Sequence, residues 1–510
     1  MMPSFPWGLA WGLVAALAPA TWGVGGDSLP PQAFHSLAEL RPGLEAYVSS
    51  PRFAGASWSV KIASLDRGTV WFEHHADRRL SPASNTKLYT AALALSQLGG
   101  DYRIVTPIVA TAAVNGAGEL KGDVIVCGRG DPSWNGRRDR RDFWALFEPF
   151  VAVFERAGVR HITGELVADA TYFHAPPYGA GWTADDLSDD YGAEISAVSL
   201  EDNYADLRIA PGREAGTPCT IELLQPSTGL VIDNRLTTGS TSVTPQIRVL
   251  RLSGENQVRV WGELPAGGKV VATEATVPRP ADWFARALRE ALARRGIRID
   301  GQARGLRWPE APAARAVALP LGEVTSAPLR ELIGTVLRSS QNLESDLIFS
   351  HLGELQRTEK TPAWQRADEL AVTALDDFLR ANALRPDEVF FEEGSGLSRN
   401  NLTTAAALVR LLEFMAAHRE KDAFISSLPV AATTGTLARR MKGTPAEGNL
   451  RAKTGTLRWA NALSGYVTTA AGERLVFSLL LNRNVPPPGQ NSRDELDEIA
   501  LMLARYDGRD

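Results

Sequence analysis

Ser84 and Lys87 are three positions apart at the start of a stretch rich in alanine and leucine, which ends at Gly99-Gly100. This pattern predicts a helix with a glycine stop. A three-residue offset puts both side chains on one helical face, one turn apart. A serine hydroxyl beside a lysine amine has the geometry of a nucleophile with its base, provided that desolvation or a second cation lowers the lysine pKa. Alone the spacing is a weak signal, because a helix-capping serine followed by a solvated lysine gives the same pattern.

A second short motif, Ser340-Gln-Asn342, stands between two segments with helical patterns. A loop between helices can direct a hydroxyl and an amide into one cleft. Ser340 would relay a proton to a leaving nitrogen, and Asn342 would hold the substrate backbone or fix Lys87. The alternative interpretation is a helix cap.

A third motif, Lys453-Thr-Gly-Thr456, precedes a predicted strand near 460–469. On the edge of a sheet, Gly455 would let a substrate backbone approach closely. Lys453 would supply the second cation that lowers the pKa of the helical lysine and would favour an anionic substrate. Thr454 and Thr456 would bind a carboxylate, and the backbone N–H of Thr456 would complete an oxyanion hole with that of the serine nucleophile. The alternative here is a turn that leads into a strand.

The three motifs together, in this order and in these local structures, resemble the penicillin-binding-protein and serine β-lactamase superfamily. Other stretches resemble the low-molecular-mass class C penicillin-binding proteins, peptidase family S13. Among them are Gly394-Ser-Gly-Leu-Ser-Arg-Asn400, Leu428-Pro-Val-Ala431, Lys442-Gly-Thr-Pro445 and, upstream, Gly130-Asp-Pro132. The resemblance covers most of the chain after about residue 40.

This resemblance implies a fold and a set of residue roles. The expected fold is α/β (α+β), a serine β-lactamase/DD-peptidase-like transpeptidase domain with one or two mainly β inserted domains. The implied catalytic residues are Ser84 as the acylated nucleophile, Lys87 as its base, Ser340 and Asn342 as the relay and substrate-holding pair, and Lys453. The implied substrate-binding residues are Thr454, Gly455, Thr456 and Asp169, the last as an acidic residue of the insertion that faces the cleft; a surface aspartate is the alternative.

The implied activity is that of a serine D-Ala-D-Ala carboxypeptidase, with endopeptidase action on the same bond type. Its partners would be peptidoglycan stem peptides, with β-lactams as inhibitors. A β-lactamase and a non-catalytic peptidoglycan-binding relative are the alternatives. Two departures from the family pattern bear on substrate preference: Glu393 stands where relatives tend to have Asp, and Thr433-Thr434 stand where an acidic residue is usual.

The alternation of helical and strand-like segments predicts a discontinuous organisation. The DD-peptidase domain is predicted over 27–105 and 316–510, and the inserted domains over 106–315. Short strand-like stretches separated by turn-rich loops fill the middle of the chain, whereas helical segments return after about residue 320.

The first 26 residues predict a signal peptide. An apolar stretch at 7–20 ends in Ala18-Pro-Ala20, which indicates cleavage within about 20–26. Because no Lys or Arg precedes the stretch, a misassigned start or an uncleaved anchor remains the alternative. The protein is therefore expected to be exported, to the periplasm or the cell envelope, with peripheral membrane association left open.

The composition of the 510-residue chain excludes several classes. A formal net charge of −5 gives no electrostatic case for nucleic-acid binding. The sequence contains neither CxxC nor HExxH, so no metal or other cofactor is expected. Its two cysteines, Cys127 and Cys219, would form either one disulfide or two buried thiols.

Overall fold

A computed structural model describes residues 33–137, 141–311 and 318–509 of the chain; the predicted signal peptide lies outside these ranges. The helices of the described part are α1 (Leu37–Val48), α2 (Thr86–Leu98), α3 (Glu148–Arg156), α4 (Pro280–Arg294), α5 (Leu329–Ser339), α6 (Asn342–Glu354), α7 (Ala367–Ala381), α8 (Ala405–Ala417), α9 (Lys421–Ser426) and α10 (Ser492–Arg505). Its strands are β1 (Ser57–Ser64), β2 (Val70–His74), β3 (Val105–Ala110), β4 (Glu119–Leu120), β5 (Val124–Cys127), β6 (His161–Ile162), β7 (Leu166–Ala170), β8 (Tyr204–Ala210), β9 (Thr220–Leu223), β10 (Val231–Gly239), β11 (Gln246–Arg251), β12 (Gln257–Pro265), β13 (Val271–Thr276), β14 (Arg298–Ile299), β15 (Ala303–Arg307), β16 (Leu319–Thr325), β17 (Arg451–Leu457), β18 (Ala460–Thr468) and β19 (Arg474–Asn482).

Both ends of the described chain contribute to one antiparallel sheet, called here the main sheet, with the order β17-β18-β19-β1-β2. Strands β1 and β19 pair from Ser57 with Asn482 to Ser64 with Leu475. The pairing of an early strand with a late one makes the segments before β3 and after β16 into one structural unit. Strand β17 lies at an edge of this sheet.

Helices cover both faces of the main sheet. On one face, α8 packs against β1 and β19, and α2 lies among α5, α6 and α8. On the other face, α10 packs against β18 and α1 against β2. Ten of the thirteen residues of α2 are buried, which explains why its sequence is apolar on every side rather than on one stripe. Gly99, with φ of 77°, ends this helix in a conformation that favours glycine.

The inserted region is built on a second five-stranded sheet with the order β15-β7-β5-β3-β16. Its three strands β15, β7 and β5 are parallel, and α4 packs against β15 and β7. Strand β16 pairs with β3, from Leu319 with Ala110 to Thr325 with Val105. The boundary predicted near residue 316 therefore moves to about residue 326, because β16 completes the sheet of the insertion and not the main sheet.

The rest of the insertion consists mostly of short strands. Two three-stranded sheets, β13-β8-β9 and β10-β12-β11, share a small apolar core that includes Leu207, Leu236 and Val260. With α3 and α4, the insertion is mainly β, and the predicted α+β architecture with a β-rich insertion is confirmed. Cys127 and Cys219 are buried thiols and are not joined by a disulfide. Within the described ranges, none of the helices has the length and apolarity needed to cross a bilayer.

Candidate active site

Ser84 lies in a single 3₁₀ turn, Ala83–Asn85, that leads directly into α2. The preceding residue, Ala83, has a left-handed backbone with φ of 47°, an uncommon conformation for alanine. Asn85 fixes the turn to the main sheet, because its side-chain amide donates a hydrogen bond of 2.7 Å to Ser464 Oγ on β18. The serine is thus held at the junction between the helical layer and the sheet.

Lys87 is completely buried one turn further on, and its ammonium donates to three acceptors. These are Ser84 Oγ at 3.0 Å, Asn342 Oδ1 at 2.6 Å and the backbone oxygen of Ser395 at 2.5 Å. Burial lowers the pKa of Lys87 to about 8, against the opposing effect of Glu393 and Asp346. A buried amine with this pKa, bonded to a serine hydroxyl, can act as the base that removes the hydroxyl proton.

Ser340 and Lys453 form a second hydrogen-bonded pair. Ser340 ends α5 with a left-handed φ of 61°, and its Oγ accepts from Lys453 Nζ at 2.7 Å. Lys453 Nζ also donates to the backbone oxygen of Thr454 at 2.8 Å. This pair places a hydroxyl and an amine where a proton could pass between a leaving group and the protein.

The sequence analysis offered two causes for a lowered pKa of Lys87, desolvation or a second cation, the role given to Lys453. Burial is the largest cause. The pKa of Lys453 is itself well below its ordinary value, first because of burial and then because of Lys87. The fully buried Lys453 therefore tends towards the neutral amine in the free protein.

The β17 motif contacts the serine turn through its glycine. A Cβ on Gly455 would lie 2.5 Å from the backbone oxygen of Pro82 and 3.2 Å from Ala83 Cβ, so a side chain there would push the strand and the turn apart. Thr454 Oγ1 shares a hydrogen bond of 2.7 Å with Thr436 Oγ1. Thr456 is exposed on the same strand. All three motifs predicted from the sequence therefore meet around Ser84 and Lys87.

The inserted region also reaches this site, but through residues that the sequence analysis did not predict. Asn342 Nδ2 donates to the backbone oxygen of Tyr191 at 3.0 Å. Arg399, which follows the Gly-Ser-Gly loop, forms an ion pair with the buried Asp186 at 2.6 Å. No short-range spacing relates these residues to the motifs, since the contacts form only when the insertion folds back onto the catalytic domain.

Asp169 occupies a different place from the one expected. It is fully buried within β7, so its side chain is not open to a cleft. Its Oδ1 accepts hydrogen bonds from the backbone N–H and the hydroxyl of Thr171, at 2.9 and 2.6 Å. These two bonds satisfy the turn that follows β7, which gives Asp169 a local structural role in the insertion.

The α+β fold and the cluster of Ser84 with two buried lysines define the class of penicillin-recognising proteins with an active-site serine. The chain belongs to the D-Ala-D-Ala carboxypeptidase 3 (S13) family, whose model matches residues 40–503. The suspected family is thereby confirmed.

Individual relatives agree with this membership. A D-alanyl-D-alanine carboxypeptidase of Actinomadura sp. (strain R39) is 32% identical over 483 residues, which are 92% of this chain and 86% of that protein. The D-alanyl-D-alanine carboxypeptidase DacB of Haemophilus influenzae is 23% identical, over 82% of this chain and 84% of its own. The crystal structure of penicillin binding protein 4 (dacB) from Haemophilus influenzae shares the fold, with a TM-score of 0.74 at 22% identity, covering 88% of this chain and 95% of that one.

Proposed function

We propose that the protein is a serine D-Ala-D-Ala carboxypeptidase that hydrolyses peptidoglycan stem peptides, with endopeptidase action on the same type of bond. The observation that carries the proposal is the hydrogen bond between Ser84 Oγ and the buried Lys87 Nζ, flanked by the Ser340–Lys453 pair. Family membership and the 32% identity to a protein named D-alanyl-D-alanine carboxypeptidase support the substrate class.

Acylation begins with transfer of the Ser84 hydroxyl proton to Lys87. Ser84 Oγ then attacks the carbonyl carbon of the penultimate D-alanine, and the backbone N–H groups of Ser84 and Thr456 stabilise the negative oxygen of the tetrahedral intermediate. Ser340, bonded to Lys453, passes a proton to the nitrogen of the leaving residue. Water hydrolyses the resulting ester and regenerates Ser84.

The terminal carboxylate of the substrate would bind to Lys453, Thr454 and Thr456. Pairing with a carboxylate favours the charged form of a lysine, so binding would restore the proton that the buried Lys453 tends to lose in the free protein. The preference for a free carboxylate beside the scissile bond would distinguish carboxypeptidase action from the cleavage of a cross-link.

The edge position of β17 supports an extended mode of substrate binding. Among the described residues, its outer edge pairs with the segment 429–430 near Arg451 and Ala452. The motif residues follow immediately along the same edge. A stem peptide could therefore add alongside them through main-chain hydrogen bonds, as peptides do at other sheet edges.

β-Lactams should acylate Ser84, because their strained amide mimics the bond that is cleaved. The Haemophilus influenzae protein with the same fold has also been solved in complex with a β-lactam. We would incubate the wild type with benzylpenicillin and measure its intact mass. We expect a gain of one penicillin in the wild type and none in Ser84→Ala. Ser96→Ala, which removes a serine from the same helix, should still gain the adduct.

The outcomes separate this proposal from its alternatives. An adduct that persists supports a penicillin-sensitive peptidase, whereas rapid turnover of the antibiotic would indicate a β-lactamase. A folded wild type that neither forms an adduct nor consumes penicillin would contradict the enzymatic role and favour a peptidoglycan-binding protein. Release of D-alanine from a pentapeptide, compared with cleavage of a cross-linked dimer, measures the balance of the two peptidase activities.

The substrate class also supports export to the periplasm or cell envelope, where peptidoglycan is found. The intact mass of the protein recovered from its native host tests this proposal. Loss of 20–26 N-terminal residues is the expected result, and a full-length mass would argue for an uncleaved anchor. Partition between soluble and membrane fractions at high salt would test peripheral membrane association.

A further inference from the structure

Two buried acidic residues lie behind the catalytic lysine, on the side away from Ser84. They are Asp346 on α6 and Glu393, which precedes the loop Gly394–Gly396. This loop supplies one of the three acceptors of Lys87, the backbone oxygen of Ser395. Neither acid is needed for the roles assigned above, yet both are at most 2% exposed. Buried carboxyl groups are costly unless they are paired or hydrogen-bonded, so their presence beside the base calls for an explanation.

Glu393 accepts hydrogen bonds on both oxygens. Its Oε2 accepts from the backbone N–H of Ser395 at 2.9 Å and from the Ser395 hydroxyl. Its Oε1 accepts from the backbone N–H of Gly396 and from Asn401 Nδ2, both at 2.7 Å. Four donors directed at one carboxyl group satisfy the hydrogen-bonding capacity of both of its buried oxygens. The same bonds fold the loop around Glu393 and direct the Ser395 carbonyl towards Lys87.

Asp346 supports the loop from the other side. It lies one turn after Asn342 on α6, and its Oδ1 accepts from the backbone N–H of Gly394 at 2.9 Å. Its neighbour Ser345 donates to the Gly394 oxygen at 2.7 Å. Burial and the nearby Glu393 raise the pKa of Asp346 well above its ordinary value. This shift means that burial and the nearby Glu393 disfavour the charged form of Asp346.

We propose that Glu393 and Asp346 are positioning residues for Lys87. Glu393 shapes the Gly394–Gly396 loop, whose Ser395 oxygen accepts from Lys87, and its negative charge favours the ammonium that forms when Lys87 takes the Ser84 proton. Asp346 seats the same loop on α6.

The proton balance shows why a negative charge is useful here. As the Ser84 O–H bond breaks and the Oγ–carbon bond forms, the proton moves to Lys87 Nζ and creates a buried cation. The charged or titratable groups that act on Lys87 are Glu393, Asp346 and Lys453. Glu393 has the larger effect of the two acids that favour the Lys87 ammonium, and the charged form of Asp346 is itself disfavoured by burial. Without Glu393, the ammonium would form in a buried site with less opposite charge to stabilise it.

The departure from the family pattern at Glu393 therefore has a different consequence from the one expected. Glu393 was expected to affect substrate preference, but it is buried and hydrogen-bonded to the loop behind the base. Its influence on the reaction would therefore pass through Lys87 and not through contact with the substrate.

The test measures the second-order rate of acylation by benzylpenicillin between pH 5 and pH 10, on the full chain. It rests on the proposed function, so the wild type must first form the adduct; absence of that adduct refutes the function and not this assignment. For Glu393→Gln we expect the plateau rate to fall by about 100-fold. The acidic limb of the profile should also move to lower pH by roughly one unit, because loss of the negative charge lowers the pKa of Lys87.

Other variants separate charge from folding. Glu393→Asp keeps the charge and should recover at least about tenfold of the lost rate. Asp346→Asn keeps an acceptor for the Gly394 N–H, and Asp346 acts on Lys87 less strongly than Glu393 does, so its limb should move less than that of Glu393→Gln and its rate should stay within about threefold of the wild type. Glu388→Gln is the matched control: Glu388 is equally buried, but it binds Thr404 and Arg410, and its loss should leave the limb unmoved.

The assignment is overturned if Glu393→Gln acylates at the wild-type rate, or if its rate falls while the acidic limb stays where it was. The second result would indicate a purely structural role for Glu393. If Glu393→Gln does not fold, Asp346→Asn carries the test by itself. A limb that moves to lower pH by about one unit or more in this variant would mean that Asp346 supplies the main negative charge, which contradicts the proposal; a smaller movement supports it.

Discussion

The contact between Gly455 and the serine turn leads to a prediction about catalytic geometry. In the Gly455→Ala variant, the new methyl group would lie 2.5 Å from the backbone oxygen of Pro82, two residues before Ser84. Ordinary contacts of a Cβ begin near 3.4 Å. Both partners are backbone segments, and neither can escape by rotating a side chain. Strand β17 and the turn must therefore separate by nearly 1 Å.

This displacement affects catalysis more than stability. It separates Ser84, on the turn, from Lys453 and Thr456, on the strand. A misplacement of 1 Å costs about 100-fold in rate when reacting groups must be aligned. Overpacking of a buried contact by one methyl group lowers the free energy of unfolding by about 1–3 kcal/mol. We therefore expect a folded protein that acylates roughly 100 times more slowly than the wild type.

Stopped-flow acylation with a fluorescent penicillin and urea denaturation measure the two quantities separately. The matched control is Gly55→Ala, because a Cβ on Gly55 would meet nothing within 4 Å and its φ is not positive. This control should leave both rate and stability close to wild type. A Gly455→Ala variant that acylates at the wild-type rate would show that the close approach of strand and turn does not set the active-site geometry.

Two further predictions follow from charged groups. Because the pKa of Lys87 is about 8 and its neutral form is the base, the wild-type acylation rate should rise with pH up to about 8. At pH 6 it should be about 100-fold below the plateau, whereas a flat profile would contradict the assignment of the base. Arg399→Ala breaks the ion pair with Asp186, a carboxylate that keeps two hydrogen bonds from Thr183. The free energy of unfolding in urea should fall by about 1–2 kcal/mol. Arg380→Ala, which breaks exposed pairs only, should cost less than about 0.5 kcal/mol.

Local sequence patterns predicted the elements that carry the motifs. The apolar stretch ended by Gly99 is helix α2, and the strand expected near 460–469 is β18. These elements are buried against neighbours of the same domain. Their sequence periodicity and the glycine stop therefore correspond to the helix and the strand that form. The boundary near residue 316 was wrong for a related reason. Strand β16 is short and partly exposed, and only its pairing with β3, far back in the chain, assigns it to the insertion.

The motif residues of the site could be predicted because each motif is compact. Ser84 and Lys87 are one turn apart at the start of α2, and Ser340 and Asn342 lie at the junction of α5 and α6. The remaining contacts depend on tertiary structure that no spacing encodes. The carbonyl of Tyr191 reaches Asn342 from the insertion, and a backbone oxygen carries no residue identity to recognise. The importance of Glu393 also could not be predicted from spacing, because it follows from the burial of this residue in the folded protein.

The two lysines of the site explain why recognition and activation should be coupled. Lys87 and Lys453 are both fully buried, and the pKa of Lys453 is lowered further by Lys87, so the free protein does not readily hold two ammonium groups. A substrate carboxylate bound at Lys453 favours its protonated form. The restored cation then disfavours a proton on Lys87, which is the effect that the sequence analysis assigned to Lys453 and that the free protein lacks. An anionic substrate would therefore prepare the base for its own acylation, whereas a peptide with an amidated C-terminus would leave Lys87 as it is in the free protein.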